Sequence, residues 1–177
     1  MKPNQSNIYC VDTSALVTMH RYYPGRIIPD LWKNVEELFK QNKFRSHDFV
    51  YDEIVPESET KDDLAKLVLK YKPCFRAITK RQAQLVPEIL SLFPHLIDSR
   101  SKKDQADPWI VAMVVEFMEE ISLFGNDSEF IIVSTESENS PNKIPAVCRH
   151  YKVRHMNLFQ FFEDNGWQFS LSKKSIS

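Results

Sequence analysis

The chain has 177 residues, 42% of them hydrophobic, and this length and composition predict one globular domain with its own core. Lysine and arginine number 23 against 24 acidic residues, so the formal net charge of −1 excludes a general electrostatic attraction to nucleic acid. Only three glycines are present, which excludes the Gly-rich loops that cradle phosphates and dinucleotides.

The first elements predicted along the chain are a strand, a helix and a second strand. A β-branched and aromatic run at 8–11 predicts a buried strand that ends at Asp12 and turns into a helix. Apolar residues at helical spacing predict a helix over 30–41, with Asp30 as its N-cap. A brief second strand is expected at 44–46.

The middle of the chain is predicted to be helical. A short helix that contains Glu53 should end near Pro56, and an amphipathic helix should follow over 60–71 with Thr60 as its N-cap. A further helix is predicted over 79–93, where Pro87 implies a kink or a break.

The last third alternates between helix and strand. The predicted elements are a long helix at 104–123, a strand at 130–133, a loop at 134–143, a helix at 144–150, a strand at 153–156 and a closing helix at 157–164 capped by Asn157. This order, with an all-helical insertion in the middle, indicates a three-layer α/β/α sandwich around a small parallel sheet. We expect a single domain over 1–170 and a disordered polar tail at 171–177.

Acidic residues fall at the ends of the predicted strands. Asp12 follows the first strand and Glu136 follows the strand at 130–133, and in parallel α/β sheets the ligand crevice lies outside these carboxyl ends. Asp104 and Asp107 stand at the start of the long helix. If the fold brings them and Glu53 together, four or five carboxylates converge on one rim.

Such closely packed carboxylates repel one another unless a hard cation neutralises them. Oxygen ligands, without a histidine or cysteine pair, favour Mg²⁺ or Mn²⁺ over zinc. A cation held in this way can activate water and stabilise the charge of a phosphodiester under attack.

Each acid also has a structural interpretation. In this interpretation Asp12 simply caps the helix after its strand, Asp107 is an N-cap ahead of Pro108, and Asp104 forms a capping arrangement with Asp107. Glu53 taken alone is typical of a solvated helix position. Only their joint placement favours a functional site.

Four motifs in order, YCVDTSAL, FVYDEI, KKDQADPWIVAMV and IIVSTESEN, resemble the PIN-domain family, and in particular a DUF4411-like, toxin-like branch with an ADPW third motif. The resemblance covers about residues 7 to 165. The resemblance assigns the acidic positions to Asp12, Glu53, Asp107 and Glu136, with Asp104 as an additional ligand. Glu138 is the alternative to Glu136, and the neighbouring polar residues are Thr13, Ser14 and Thr135.

This resemblance implies a PIN-like fold and an endoribonuclease that uses Mg²⁺ or Mn²⁺, with Asp12, Glu53 and Asp107 as catalytic residues. It also implies an RNA substrate, a role as the toxin of a type II toxin–antitoxin pair with a cognate antitoxin, and a homodimer. The alternative function is a non-catalytic PIN-like module that binds RNA or a protein. A phosphatase or a DNA nuclease would use the same carboxylate chemistry.

Basic residues that could contact RNA phosphates lie just ahead of the third motif, at Arg100, Lys102 and Lys103. Another basic run, at 66–81, is better interpreted as a solvated helix face. His20 is the one histidine that we regard as a candidate auxiliary group, and Trp109 belongs to an apolar helix face.

The three cysteines are odd in number and lack C-x-x-C spacing, which argues against a disulfide framework and a zinc ribbon. Neither a signal peptide nor a long apolar segment is predicted. We therefore expect a cytoplasmic protein that does not act at a membrane.

Overall fold

A computed structural model of the chain describes residues 6–57, 61–98, 100–101, 105–124 and 127–169. Its centre is a five-stranded sheet in the order β3-β2-β1-β4-β5, with every strand pairing parallel. The strands are β1 (Asn7–Val11), β2 (Phe44–His47), β3 (Phe75–Arg76), β4 (Glu129–Val133) and β5 (Arg154–Met156).

Helices connect and flank these strands. They are α1 (Thr13–Tyr22), α2 (Pro29–Lys40), α3 (Asp48–Ile54), α4 (Asp63–Lys70), α5 (Lys80–Leu92), α6 (Ala106–Phe124), α7 (Ile144–Tyr151) and α8 (Leu158–Asp164), with a short 3₁₀ turn at Lys72–Cys74. The three-layer α/β/α class predicted from the sequence is confirmed, and the arrangement is consistent with a PIN-like fold.

The core lies where the central strands meet the long helix. Ile131, Ile132 and Val133 of β4 are fully buried, because a central parallel strand is covered on both faces. The middle of α6 is buried as well, from Ile110 to Val114. This explains why α6 reads as apolar on nearly every side instead of along one stripe.

The connections between successive strands change from one side of the sheet to the other between β1 and β4. The chain adds β2 and β3 on one side of β1, then returns to place β4 and β5 on its other side. A ligand crevice forms at such a reversal, outside the carboxyl ends of the two strands. Asp12 lies at this point, since its backbone N–H donates to the Val133 carbonyl over 2.9 Å.

Several local predictions were wrong, for identifiable reasons. The middle of the chain is not entirely helical, because β3 pairs with β2 there. Asp30 is not the N-cap of α2; Pro29 takes the first helical position, which suits its fixed φ, and Asp30 lies in the first turn. The N-cap of α4 is Asp62, whose side chain accepts from the Ala65 N–H, and not Thr60.

Other local predictions are confirmed. The helix predicted over 79–93 is present as α5, with Thr79 as its N-cap; it continues through Pro87, so the break that was one of the two expectations for this proline does not occur. Asn157 caps α8 in a capping box with Gln160. The expected tail at 171–177 lies outside the described residues.

Cys10, Cys74 and Cys148 are all buried free thiols. Across the described ranges, no helix combines the length and the apolar character needed to cross a membrane.

Candidate metal centre

Asp12 is a buried carboxylate, with 2% of its surface exposed. Its Oδ2 accepts the Ser14 backbone N–H at 3.0 Å, so Asp12 caps α1 as the structural interpretation requires. Its Oδ1 is also buried, and it has no hydrogen-bond partner among the residues that the structure describes. A buried carboxylate oxygen without a partner is costly, so this position favours a proton, a bound water molecule or a cation.

Asp107 lies in the first turn of α6 and is partly buried. Because α6 begins at Ala106, the interpretation of Asp107 as an N-cap ahead of Pro108 is wrong. Burial first, and then the negative charges of Asp12 and Glu136, raise the pKa of Asp107 to about 8. The second carboxylate of the centre is therefore hard to ionise unless positive charge is supplied.

The pKa of Asp12 is raised as well. Burial is the main cause that raises its pKa to about 6, the hydrogen bonds from Ser14 offset part of the rise, and the charge of Glu136 adds to it. The carboxylates predicted at two strand ends and a helix start therefore lie within electrostatic range of one another.

Glu53 is exposed on α3, yet both of its carboxylate oxygens are bound. Oε2 accepts the Thr13 hydroxyl, and Oε1 accepts the Ala106 backbone N–H at 3.1 Å. Its negative charge stands at the N-terminus of α6, where the helix dipole favours an anion. Glu53 therefore joins the starts of α1 and α6.

Glu136 makes the equivalent contacts at α7. Its Oε2 accepts the Ile144 backbone N–H at 2.8 Å, and its Oε1 lies 2.9 Å from the Lys143 ammonium nitrogen. Lys143 is the N-cap residue of α7, and neither it nor Ile144 was singled out in the sequence. Each glutamate of the centre is thus held by one backbone N–H and one side-chain donor.

Of the two candidates for the fourth acidic position, the structure favours Glu136 over Glu138. Glu138 is exposed, and its carbonyl oxygen accepts from Arg149 at 3.1 Å. Glu136 is partly buried, and its charge acts on both central aspartates.

The auxiliary polar residues tie the two central strand ends together. Ser14 Oγ accepts the Thr135 backbone N–H at 3.1 Å, across the boundary between α1 and the loop after β4. The hydroxyls of Thr135 and Thr18 lie 3.3 Å apart. Together with the contact of Thr13 to Glu53, these bonds fix the turn that carries Asp12.

Three of the predicted site residues, Asp104, Lys102 and Lys103, lie outside the described residues. Arg100 is exposed, and its guanidinium donates to both carboxylate oxygens of Asp98 at 3.0 Å. This ion pair partly neutralises Arg100, which weakens its case as a phosphate ligand. His20 lies 3.8 Å from Asp62, near the far end of α1 from Asp12.

His47 is a functional residue that the sequence did not reveal. It is fully buried, its Nδ1 accepts the Phe49 N–H at 3.2 Å, and its Nε2 lies 3.0 Å from Gln82 Oε1. Its ring also stacks on Trp109 of α6 at a centroid distance of 5.6 Å. His47 therefore positions α3, which carries Glu53, against α6, which carries Asp107. A lone histidine without ligand spacing gave no signal of this role.

The donor set fits a hard divalent cation. It consists of carboxylates, it crowds negative charge, and it includes Oδ1 of Asp12, which has no partner among the described residues. Within the described residues, no three His, Cys, Asp or Glu side chains stand in a ready metal cage. Glu53 and Glu136 are both bound to other donors. Asp12 and Asp107 are therefore the residues that would hold a cation here.

Comparison with protein-family models gives a match over most of the chain. The model of a family described as "Domain of unknown function (DUF4411)" matches residues 9–169. No curated protein matches the chain. The matched segment begins within β1 and runs past α8, so it includes every element of the centre. The chain therefore belongs to the DUF4411 family.

Proposed function

We propose that the protein is a PIN-type endoribonuclease that uses Mg²⁺ or Mn²⁺ to hydrolyse phosphodiester bonds of RNA. The observation that carries the proposal is the buried Oδ1 of Asp12, which has no hydrogen-bond partner among the described residues, together with a second aspartate, Asp107, whose pKa is raised to about 8. Two buried carboxylates of this kind destabilise the fold when they are ionised without a partner, and their oxygens are suitable ligands for a divalent cation.

The contacts of the acids support different tasks for them. Asp12 and Asp107 would hold the cation, while Glu53 and Glu136 would add negative charge from their places at the starts of α6 and α7. Thr13 holds Glu53 in position. When bound, a divalent cation lowers the pKa of water and stabilises charge on a phosphoryl oxygen.

The substrate and the biological role follow from the motif resemblance. The strings YCVDTSAL and ADPW resemble those of toxin-like PIN ribonucleases, which supports RNA as the substrate. On the same basis we propose that the protein is the toxin of a type II toxin–antitoxin pair, that a cognate antitoxin restrains it, and that it acts as a homodimer in the cytoplasm.

The decisive experiment is a cleavage assay with the purified protein. Wild type is incubated with single-stranded RNA, DNA of the same sequence and a small phosphodiester, each with Mg²⁺, with Mn²⁺ or with EDTA. We expect cleavage of RNA that requires the cation. Asp12→Asn and Asp107→Asn should reduce this cleavage to the level seen in EDTA.

Asp30→Asn is the matched control, because Asp30 is a half-exposed aspartate on α2 whose partner is Lys33. It should cleave as wild type does. Cleavage that survives Asp12→Asn and Asp107→Asn would refute the assignment, and preferential cleavage of DNA would change the substrate class. Growth inhibition by the expressed wild type, and not by Asp107→Asn, would test the toxin role.

One observation favours a second candidate, a non-catalytic PIN-like module that binds RNA or a protein. Glu53 and Glu136 are each satisfied by two donors without any metal, as expected for acids retained for folding. Binding of RNA without cleavage, together with no stabilisation by Mn²⁺, would support the module.

A further inference from the structure

Lys143 is a basic side chain built into the acidic centre. It precedes the first residue of α7, and its ammonium nitrogen lies 2.9 Å from Glu136 Oε1. The Glu136 side chain is only 12% exposed, so this ion pair is shielded from solvent on the carboxylate side. The positive charge of Lys143 also acts on Asp107 and Asp12.

The remaining oxygen of Glu136 is occupied as well. Oε2 accepts the Ile144 N–H at 2.8 Å, so each oxygen of Glu136 already has one partner, and a cation that binds Glu136 must compete with Lys143 and with the start of α7. On the opposite side of the centre, Glu53 is bound by Thr13 and by the Ala106 N–H, and no cationic side chain contacts it in the described part of the chain. The one cation that the described residues bring to these acids is therefore on the Glu136 side.

We propose that Lys143 is an internal counter-cation that restricts the centre to a single divalent ion. Two-metal sites place their ions about 3.5–4 Å apart and need carboxylate oxygens on both sides of the pair. Lys143 occupies one oxygen of Glu136 and offsets the negative charge that a second ion would require on that side. Asp12 and Asp107 remain for the first ion. The inference rests on the proposed metal centre and adds its ion count.

The electrostatic balance agrees with this division. Asp12, Glu53, Asp107 and Glu136 carry up to four negative charges, and Lys143 neutralises one of them. With Lys143 in place, one divalent ion leaves a charge of about −1 and a second ion would reverse the sign to about +1, whereas without Lys143 two divalent ions would just balance the four carboxylates. Removal of the lysine restores room and charge for the second ion.

The test counts bound Mn²⁺ in the metal-free full-length protein by calorimetric titration, and uses electron paramagnetic resonance to detect magnetic coupling between neighbouring ions. Wild type should bind one Mn²⁺ without such coupling. Lys143→Met should bind a second, coupled ion, and Lys143→Arg, which keeps the charge, should bind one. Lys40→Met, which breaks an exposed ion pair with Glu37 on α2, is the matched control and should bind one.

The outcomes separate the two proposals. Two coupled ions in wild type, or a single ion of unchanged affinity in folded Lys143→Met, would overturn the role of Lys143 and leave the metal centre standing. No Mn²⁺ binding in wild type would overturn the metal centre itself. If Lys143→Met does not fold, Lys143→Gln replaces it, and the wild-type count still decides against the proposal when it exceeds one.

Discussion

Replacement of Asp107 by asparagine should stabilise the metal-free protein, although it should abolish activity. The side chain keeps its shape and loses its charge. In the folded protein the pKa of Asp107 is raised from 3.8 to about 8, chiefly by burial. For a carboxylate with a raised pKa, the associated stability is fully present below the unfolded value and is lost as pH rises through the folded value.

The magnitude follows from the shift. About 4 pKa units at about 1.36 kcal/mol each set a ceiling of roughly 6 kcal/mol on the penalty at alkaline pH. Asp107 titrates together with Asp12 and Glu136, so the penalty is shared, and we expect Asp107→Asn to gain about 2 to 4 kcal/mol above about pH 8. The gain should shrink towards about pH 4, where the unfolded chain also becomes protonated.

The assay is urea unfolding in EDTA at several pH values, with Asp30→Asn as the control. Wild type that equals or exceeds Asp107→Asn in stability above about pH 8 would refute the electrostatic argument. Addition of Mn²⁺ should reverse the order, because wild type gains about 4.1 kcal/mol at a thousandfold excess over its Kd. The variant should gain much less.

Two further predictions concern residues around the centre. Burial lowers the pKa of His47, so the folded protein favours the neutral imidazole and its stability should fall as pH drops below about 6.5. In unfolding experiments, the difference in unfolding free energy between wild type and His47→Gln should therefore shrink over that range. A difference that stays constant with pH would contradict a buried, neutral His47. Asn157→Ala removes the capping box of α8 and should cost about 1 kcal/mol in thermal unfolding, whereas Asn157→Asp should retain most of the cap; equal losses would show that the cap contributes nothing.

The elements that were predicted well from the sequence are those whose pattern is contained in neighbouring residues. The run before Asp12 is apolar and β-branched, and a hydroxyl pair follows it, so both the strand and its turn can be recognised from adjacent residues. The same holds for β4 and for the capping box at Asn157. Hydrophobic patterning was therefore sufficient for the fold class and for two of the four acidic positions.

The features that could not be predicted from the sequence depend on contacts between segments that are distant along the chain. Strand β3 has two residues, too few for any periodicity, and it exists because Phe75 pairs with Ser46 of β2. Lys143 lies in a polar stretch that reads as a loop, and only the start of α7 brings it to Glu136. The role of His47 arises from its contacts with Gln82 and Trp109, which no sequence spacing indicates.

The parallel pairing of β1 with β4 has a consequence for how the protein is made. Asn7 pairs with Glu129 and Val11 with Val133, so the first strand must wait for the last third of the chain before its second edge is covered. Pairings of such long sequence separation form slowly and late. A chain still emerging from the ribosome can hold β1 against β2, but it lacks the strand end that leads to Glu136. The complete set of carboxylates therefore comes together only after β4 and the residues that follow it have been synthesised.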